Sequence, residues 1–247
     1  KIALGLISKL YRNINISRRN KVLKQADSIT TVSPWHADFI KQFNPNTHLI
    51  YNGYDSNLFI PQHTKSEFFD IIYTGKWYSP TLQDPTLLFQ ALAEINNPQI
   101  RFIWYTNADV HSQISKLAQQ HNLTTPLIIN NYVPNNEIPN LLNQSSIILV
   151  LTNKGNRGIM TTKFFEAIGV EKPILCVRSD EGCLAQTIQE TNAGLAATNV
   201  TEVKEFILFH YNQWQKQGYT HTEIKNKEQF SRQNQALQFE KIFNTTI

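Results

Sequence analysis

At 247 residues, 41% hydrophobic and 11% aromatic, the chain has enough apolar material for a packed core, which argues against disorder. The formal charge of +4 is modest and the lysines and arginines are scattered, so no nucleic-acid footprint is expected. Cys176 and Cys183 lie in or beside an apolar run, and the seven histidines lack metal-ligand spacing, so reduced thiols and no metal are expected.

In chain order, Leu4, Ile7, Leu10, Tyr11 and Ile14 recur at helical spacing, and Val22 and Leu23 continue a second short helical piece to about residue 25. The β-branched run 28–32 predicts a strand. Ser33 and Pro34 then supply an N-cap and a first-turn proline for a helix through Phe43. Residues 48–51 predict a short strand running into the turn Asn52, Gly53, Tyr54, Asp55. Periodicity is lost near Pro61, and a domain boundary is expected there, dividing residues 1–60 from 61–247. From Phe69 onward, strands at 69–74, 100–105, 127–129, 146–151, 173–177 and 194–197 alternate with helical segments, the first of them capped by Asp84 and Pro85. Helices near 201–217 and 223–244 close the chain. Short apolar strands alternating with helices predict an α/β fold, a doubly wound, parallel, Rossmann-like sheet. The strand–helix unit before residue 60 is too small to bury a core alone, so it reads as the remnant of a second domain. With Lys1 in first place, a piece of a longer chain is expected. No apolar stretch reaches bilayer-spanning length and no signal-peptide pattern is present, and a cytoplasmic setting is expected.

The richest stretch follows the apolar run 147–151. A loop carries Lys154, Gly155, Arg157 and Gly158, and an amphipathic segment then places Glu166 among Phe164, Phe165, Ala167 and Ile168. A strand, a basic glycine-containing loop and a helix start put backbone N–H groups and a positive dipole end before an anion. Parallel sheets bind ligands at the carboxyl ends of their strands, where Gly75, Lys76 and the loop 152–162 would all lie. A nucleoside diphosphate is the expected ligand. Lys76, Arg157 and Lys163 can neutralise it together, although for any one of them alone a solvated surface cation is the better reading. Glu166 fits a helix-capping role poorly, because Lys163 would have to be the cap. It is either a carboxylate that accepts from ribose hydroxyls or a surface glutamate near a helix dipole.

Residues 26–33, 50–55 with Phe59, 73–76, and 163–169 followed by 172–175 together resemble the retaining glycosyltransferases of family 4, which have the GT-B fold of two Rossmann-like domains. The resemblance runs over nearly the whole chain, from the end of an acceptor-side domain through the donor domain, with a C-terminal helix that crosses back. It implies transfer of a glycosyl (hexosyl-type) group from a UDP or GDP sugar to an acceptor hydroxyl with retention of configuration, in polysaccharide biosynthesis, without a cofactor. Gly75, Lys76, Thr162 and Lys163 would hold the diphosphate, Glu166 the ribose, and Tyr132 and Val133 would border the nucleobase. Three departures stand out. The family pairs its ribose carboxylate with another eight residues earlier, and that position is Gly158; Lys76 stands where arginine is usual; Gln83 falls near an expected lysine. Sugar recognition would then pass to backbone groups around Gly158, Ile159 and Met160, and no catalytic residue is assigned. The acceptor, a glycan or lipid-linked sugar, would be held by the absent N-terminal domain, and the isolated piece is expected to turn over little. Arg18, Arg19, Lys21 and Lys24 are compatible with peripheral contact at the inner membrane face, though a few cations usually mean a solvated face. The alternative is a GT-B module that binds nucleotide or a partner without catalysis.

Overall fold

The structure, a computed structural model, describes residues 2–246, with side chains over 11–245. The side chains of Leu4, Ile7 and Leu10 therefore lie outside the described residues. The chain forms two compact units, residues 1–51 with 235–247, and residues 52–234.

In the first unit, α1 (Ile2–Gln25) is one helix rather than the two pieces expected. Strands β1 (Ile29–Thr31) and β2 (Thr47–Leu49) pair in parallel, with Ile29 opposite Thr47. Between them runs α2 (Pro34–Lys41), whose cap is the expected one: Ser33 Oγ accepts from the His36 N–H, with Pro34 in the first turn. Asn44 Nδ2 donates to the carbonyls of Leu23 and Ala26 at 3.1 and 2.6 Å, tying the end of α1 to this pair. Arg19, one of the four cations noted on α1, stacks over Phe39 at 5.0 Å.

The second unit is built on a parallel sheet of β3 (Phe69–Thr74), β4 (Ile100–Tyr105), β5 (Leu127–Asn130), β6 (Ile147–Leu151), β7 (Ile174–Val177) and β8 (Gly194–Ala197). Their spatial order is β5-β4-β3-β6-β7-β8. The chain thus winds outward from β3 in one direction, returns to β6 beside it, and winds outward in the other. This is the doubly wound order with its switch point between β3 and β6. Central strands in such a sheet are covered on both faces, and every residue of β6 is buried. Alternation assigns the faces. Ile71, Tyr73, Phe102, Trp104, Leu149 and Val177 share a core with α3 (Thr86–Ile95), α4 (His111–Gln120) and α8 (Val200–Gln217). Ile72, Ile148, Val150, Ile174 and Cys176 are buried on the opposite face, the side of α5 (Ile138–Gln144), α6 (Thr162–Gly169) and α7 (Cys183–Glu190). Phe164 and Phe165 of α6 pack on Phe230 at 5.8 and 5.7 Å.

Some local expectations shift. Helix α3 begins at Thr86 with Pro85 as its boundary residue, and Asp84 Oδ1 accepts the Thr86 N–H at 3.0 Å instead of capping the next turn. The last helix, α9 (Arg232–Thr246), starts later than residue 223, after a 3₁₀ turn at Lys227–Phe230, and passes from the second unit to the first. Residues 52–60 belong with the second unit, where Tyr54 bridges Ser231 and Phe59 packs against Gly169. Tyr219 and His221 pack with His63 at 4.7 and 5.0 Å, and His221 lies 3.7 Å from Glu171.

His210 on α8 is buried beside Phe206, and burial lowers its pKa to about 4 from the ordinary 6.5. The folded state therefore resists protonation more than the unfolded chain. Its contribution to stability is complete above pH 6.5 and is lost as the pH falls through 4. A loss of about 3 kcal/mol from this group is expected across that window. Urea midpoints measured at stepped pH should show the slope in the parent and a flatter curve for His210→Gln.

Candidate functional site at the switch point

Three loops meet at the carboxyl ends of β3 and β6. The first leaves β3 through Gly75, whose φ of +122° is a conformation that side-chain-bearing residues rarely adopt. A Cβ there would also come within 2.8 Å of Lys163 Nζ. Glycine at 75 thus gives the backbone its turn and leaves room for the ammonium. The loop is held by Gln83, whose Nε2 donates to Tyr73 Oη at 3.0 Å and to the Lys76 carbonyl at 3.3 Å, while its Oε1 accepts the Tyr78 N–H at 2.9 Å. Tyr73 Oη also donates to the Lys76 carbonyl, and Trp77 Nε1 to the Gln83 carbonyl. Trp77 is fully buried, whereas Tyr78 is exposed with Lys76 Nζ 4.9 Å from its ring centroid.

The second loop, 152–161, is fastened to the first through backbone carbonyls. Asn153 Nδ2 donates to the Thr81 carbonyl and Asn156 Nδ2 to that of Leu82 and to Thr152 Oγ1. On its far side the Cys183 N–H donates to the Arg157 carbonyl at 2.9 Å. The third loop, 178–182, carries the fully buried Asp180, which accepts the N–H groups of Leu184 and Ala185 at 3.1 and 2.9 Å and so caps α7.

Helix α6 starts at the meeting point. Its N-cap, Thr161, makes no side-chain capping bond, so the first N–H groups lack the acceptor a cap would provide. Lys163 is half-buried with its ammonium 5.2 Å from the Tyr73 ring centroid, and among the described residues it makes no hydrogen bond or ion pair. Burial lowers its pKa, with Glu166 opposing. One turn on, burial raises the Glu166 pKa, while the charges of Lys163 and Arg232 pull it back. Each group is held where its charged form is disfavoured in isolation and favoured by the other.

Two hollows open around Lys163. The smaller, about 190 Å³, is lined by Thr74, Gly75, Tyr105, Tyr132, Val133, Asn135, Ile138, Thr162, Lys163 and Glu166. The larger, about 350 Å³, is lined by Lys76, Tyr78, Leu82, Gln83, Val150, Leu151, Thr152, Asn156, Ile159, Thr161, Lys163 and Leu184. Of the residues singled out in the sequence, Gly75, Tyr132, Val133, Thr162, Lys163 and Glu166 share the smaller hollow, and Lys76, Gln83, Ile159 and Lys163 share the larger. Gly158 and Met160 line neither, and Met160 is buried. Arg157 is exposed and outside both linings, and Lys154 pairs with Glu181 at 3.0 Å. Tyr105, Leu82, Asn156 and Leu184 escaped the sequence reading; only the position of Tyr105 at a strand end could have flagged it.

Gly182 is the point where the second and third loops touch, and a Cβ there would collide with the Arg157 backbone. Gly182→Ala must displace one loop, and a loss of about 1–3 kcal/mol is expected, read as a lowered thermal midpoint. Ala185→Gly, a smaller change one turn into α7, serves as the comparison and should cost about 1 kcal/mol or less.

No protein-family model matches the chain, and no curated protein does. Solved structures do. Sucrose-phosphate synthase from Thermosynechococcus elongatus is similar at 18% identity and a TM-score of 0.70, over 92% of this chain and 60% of that one. HepE from Anabaena, solved in complex with UDP and glucose, is similar at 17% identity and a TM-score of 0.69, over 89% and 64%. A glycosyltransferase from Rickettsia africae is similar at 14% identity and a TM-score of 0.68, over 92% and 66%. This chain therefore spans less than two thirds of the length of each. At these identities the likeness is one of fold: the chain has the α/β, Rossmann-like architecture of the C-terminal domain of GT-B glycosyltransferases.

Proposed function

We propose that the switch-point site binds a nucleotide diphosphate sugar, UDP- or GDP-linked, as the donor of a glycosyl transfer. The observation that carries the reading is Lys163, a half-buried ammonium without a hydrogen-bond acceptor among the described residues, which lines both hollows. A cation in that state gains from an arriving anion, and the uncapped tip of α6 offers N–H groups to the same anion. The diphosphate then spans Lys163, with the nucleoside on one side and the sugar on the other. Glu166 lies in the smaller hollow with Tyr132 and Val133, which supports reading that hollow as the place of ribose and base. Lys76 and Ile159 lie in the larger, which is assigned to the outer phosphate and the sugar. That HepE, of like fold, was solved with UDP and with UDP-glucose supports the assignment.

We further propose that a protein containing this unit transfers a hexosyl group to an acceptor hydroxyl with retention of configuration. The acceptor oxygen attacks from the face the diphosphate leaves, and Lys163, Lys76 and the tip of α6 neutralise the charge that develops on the departing group. A glycan or lipid-linked sugar is the proposed acceptor. A second reading, a nucleotide-binding module without turnover, is favoured by one observation: no carboxylate lines the larger hollow.

Calorimetric titration with UDP and GDP tests donor binding. One of the two should bind, and Lys163→Ala and Glu166→Ala should each lose about 1.5–3 kcal/mol, the value of a charge-assisted contact. If neither nucleotide binds, or both variants bind like the parent, the assignment is wrong. Release of UDP or GDP from its sugar, measured with acceptor present, separates transferase from module.

A further inference from the structure

The larger hollow contains more polar side chains than it can offer to a ligand. Both ends of the Gln83 amide are engaged with Tyr73, Lys76 and Tyr78, and Asn156 Nδ2 is engaged with Leu82 and Thr152. These bonds shape the first loop and fasten the second to it, so a ligand that took them would have to unfasten the site. What remains on the wall is mostly apolar: Leu82 and Ile159 at 49% and 56% exposure, the ring of Tyr78, and the buried Leu184 and Val150. Lys76, Lys163 and Thr161 stand at the phosphate side.

A hexose hydroxyl placed against such a wall would lose its water without replacement, at the cost of one unpaired polar group. A methyl group in the same place gains from burial. We infer that the larger hollow selects a glycosyl group bearing a methyl, as a 6-deoxy or an N-acetyl sugar does, over a fully hydroxylated hexose. This inference rests on the donor reading above and names the class of sugar that reading leaves open. The methyl sits against Leu82, Ile159 and Leu184, and the sugar's remaining hydroxyls face the open mouth and water.

The test keeps the nucleotide constant and varies the sugar. For a protein that binds UDP, affinities are measured for UDP-glucose, UDP-6-deoxyglucose and UDP-N-acetylglucosamine; for one that binds GDP, for GDP-mannose and GDP-6-deoxymannose. At least one methyl-bearing donor should bind fivefold or more tightly than its hydroxylated parent. Ile159→Asn and Leu82→Asn, substitutions at exposed positions whose folding is checked by thermal midpoint, should reduce that ratio to below two. Equal binding, tighter binding of the hydroxylated parent, or a ratio unchanged in both variants would overturn the inference and leave the donor reading standing. Absence of any UDP or GDP binding would instead overturn the donor reading, and this inference with it.

Discussion

The site turns on one ammonium that the fold has drawn out of water without giving it a counter-ion in contact among the described residues. Lys163 occupies the space left by the missing side chain of Gly75, against the ring of Tyr73, with Glu166 one turn away. Burial disfavours its charge, and a surface lysine would be free of that penalty. The surrounding structure supplies the compensation: β3 and β6 are buried on both faces, and the loops that leave them are held by hydrogen bonds rather than by the lysine itself. A cation under such constraint gains from an arriving anion, which restores what desolvation removed, and the proposed donor site rests on that gain.

The two hollows inherit their difference from the topology. The smaller lies toward β4 and β5, whose ends bring Tyr105, Tyr132 and Val133 beside the carboxylate of Glu166. The larger lies toward β6 and the start of α7, whose ends bring Val150, Leu151 and Leu184. Switch points in doubly wound sheets separate two crossovers that leave in opposite directions, so a ligand lying across one meets unlike surroundings at its two ends. A nucleoside and a sugar joined by a diphosphate have that asymmetry.

Much of the fold was legible because its signals are local and repeated. The apolar run of β6, the cap at Ser33 and Pro34, and the alternation of short strands with helices each follow from neighbours in sequence. Capping by Asp84 was harder, since Pro85 occupies the boundary and moves the carboxylate to the preceding N–H. Within the site, Lys163 and Glu166 were legible because a basic loop entering an amphipathic segment marks a helix tip. Gln83 was visible as a departure from a family pattern, yet its place at the centre of a hydrogen-bonded loop was not, because its partners are set by the loop's path. Leu82 and Leu184 carry no periodic signal as wall residues. The role expected of Met160 was for its backbone, and its side chain, which the sequence left unplaced, is buried after the turn at 156–159.

The bonds from Asn153 and Asn156 to the carbonyls of Thr81 and Leu82 have an implication for how this region can diverge. Their acceptors are main-chain oxygens, which every amino acid carries. The identities at 81 and 82 are accordingly free to drift, and with them the texture of one wall, while the number of residues between Tyr78 and Gln83 is not. A single inserted or deleted residue would shift both oxygens out of register with their amides. Spelling is negotiable in this turn; length is not.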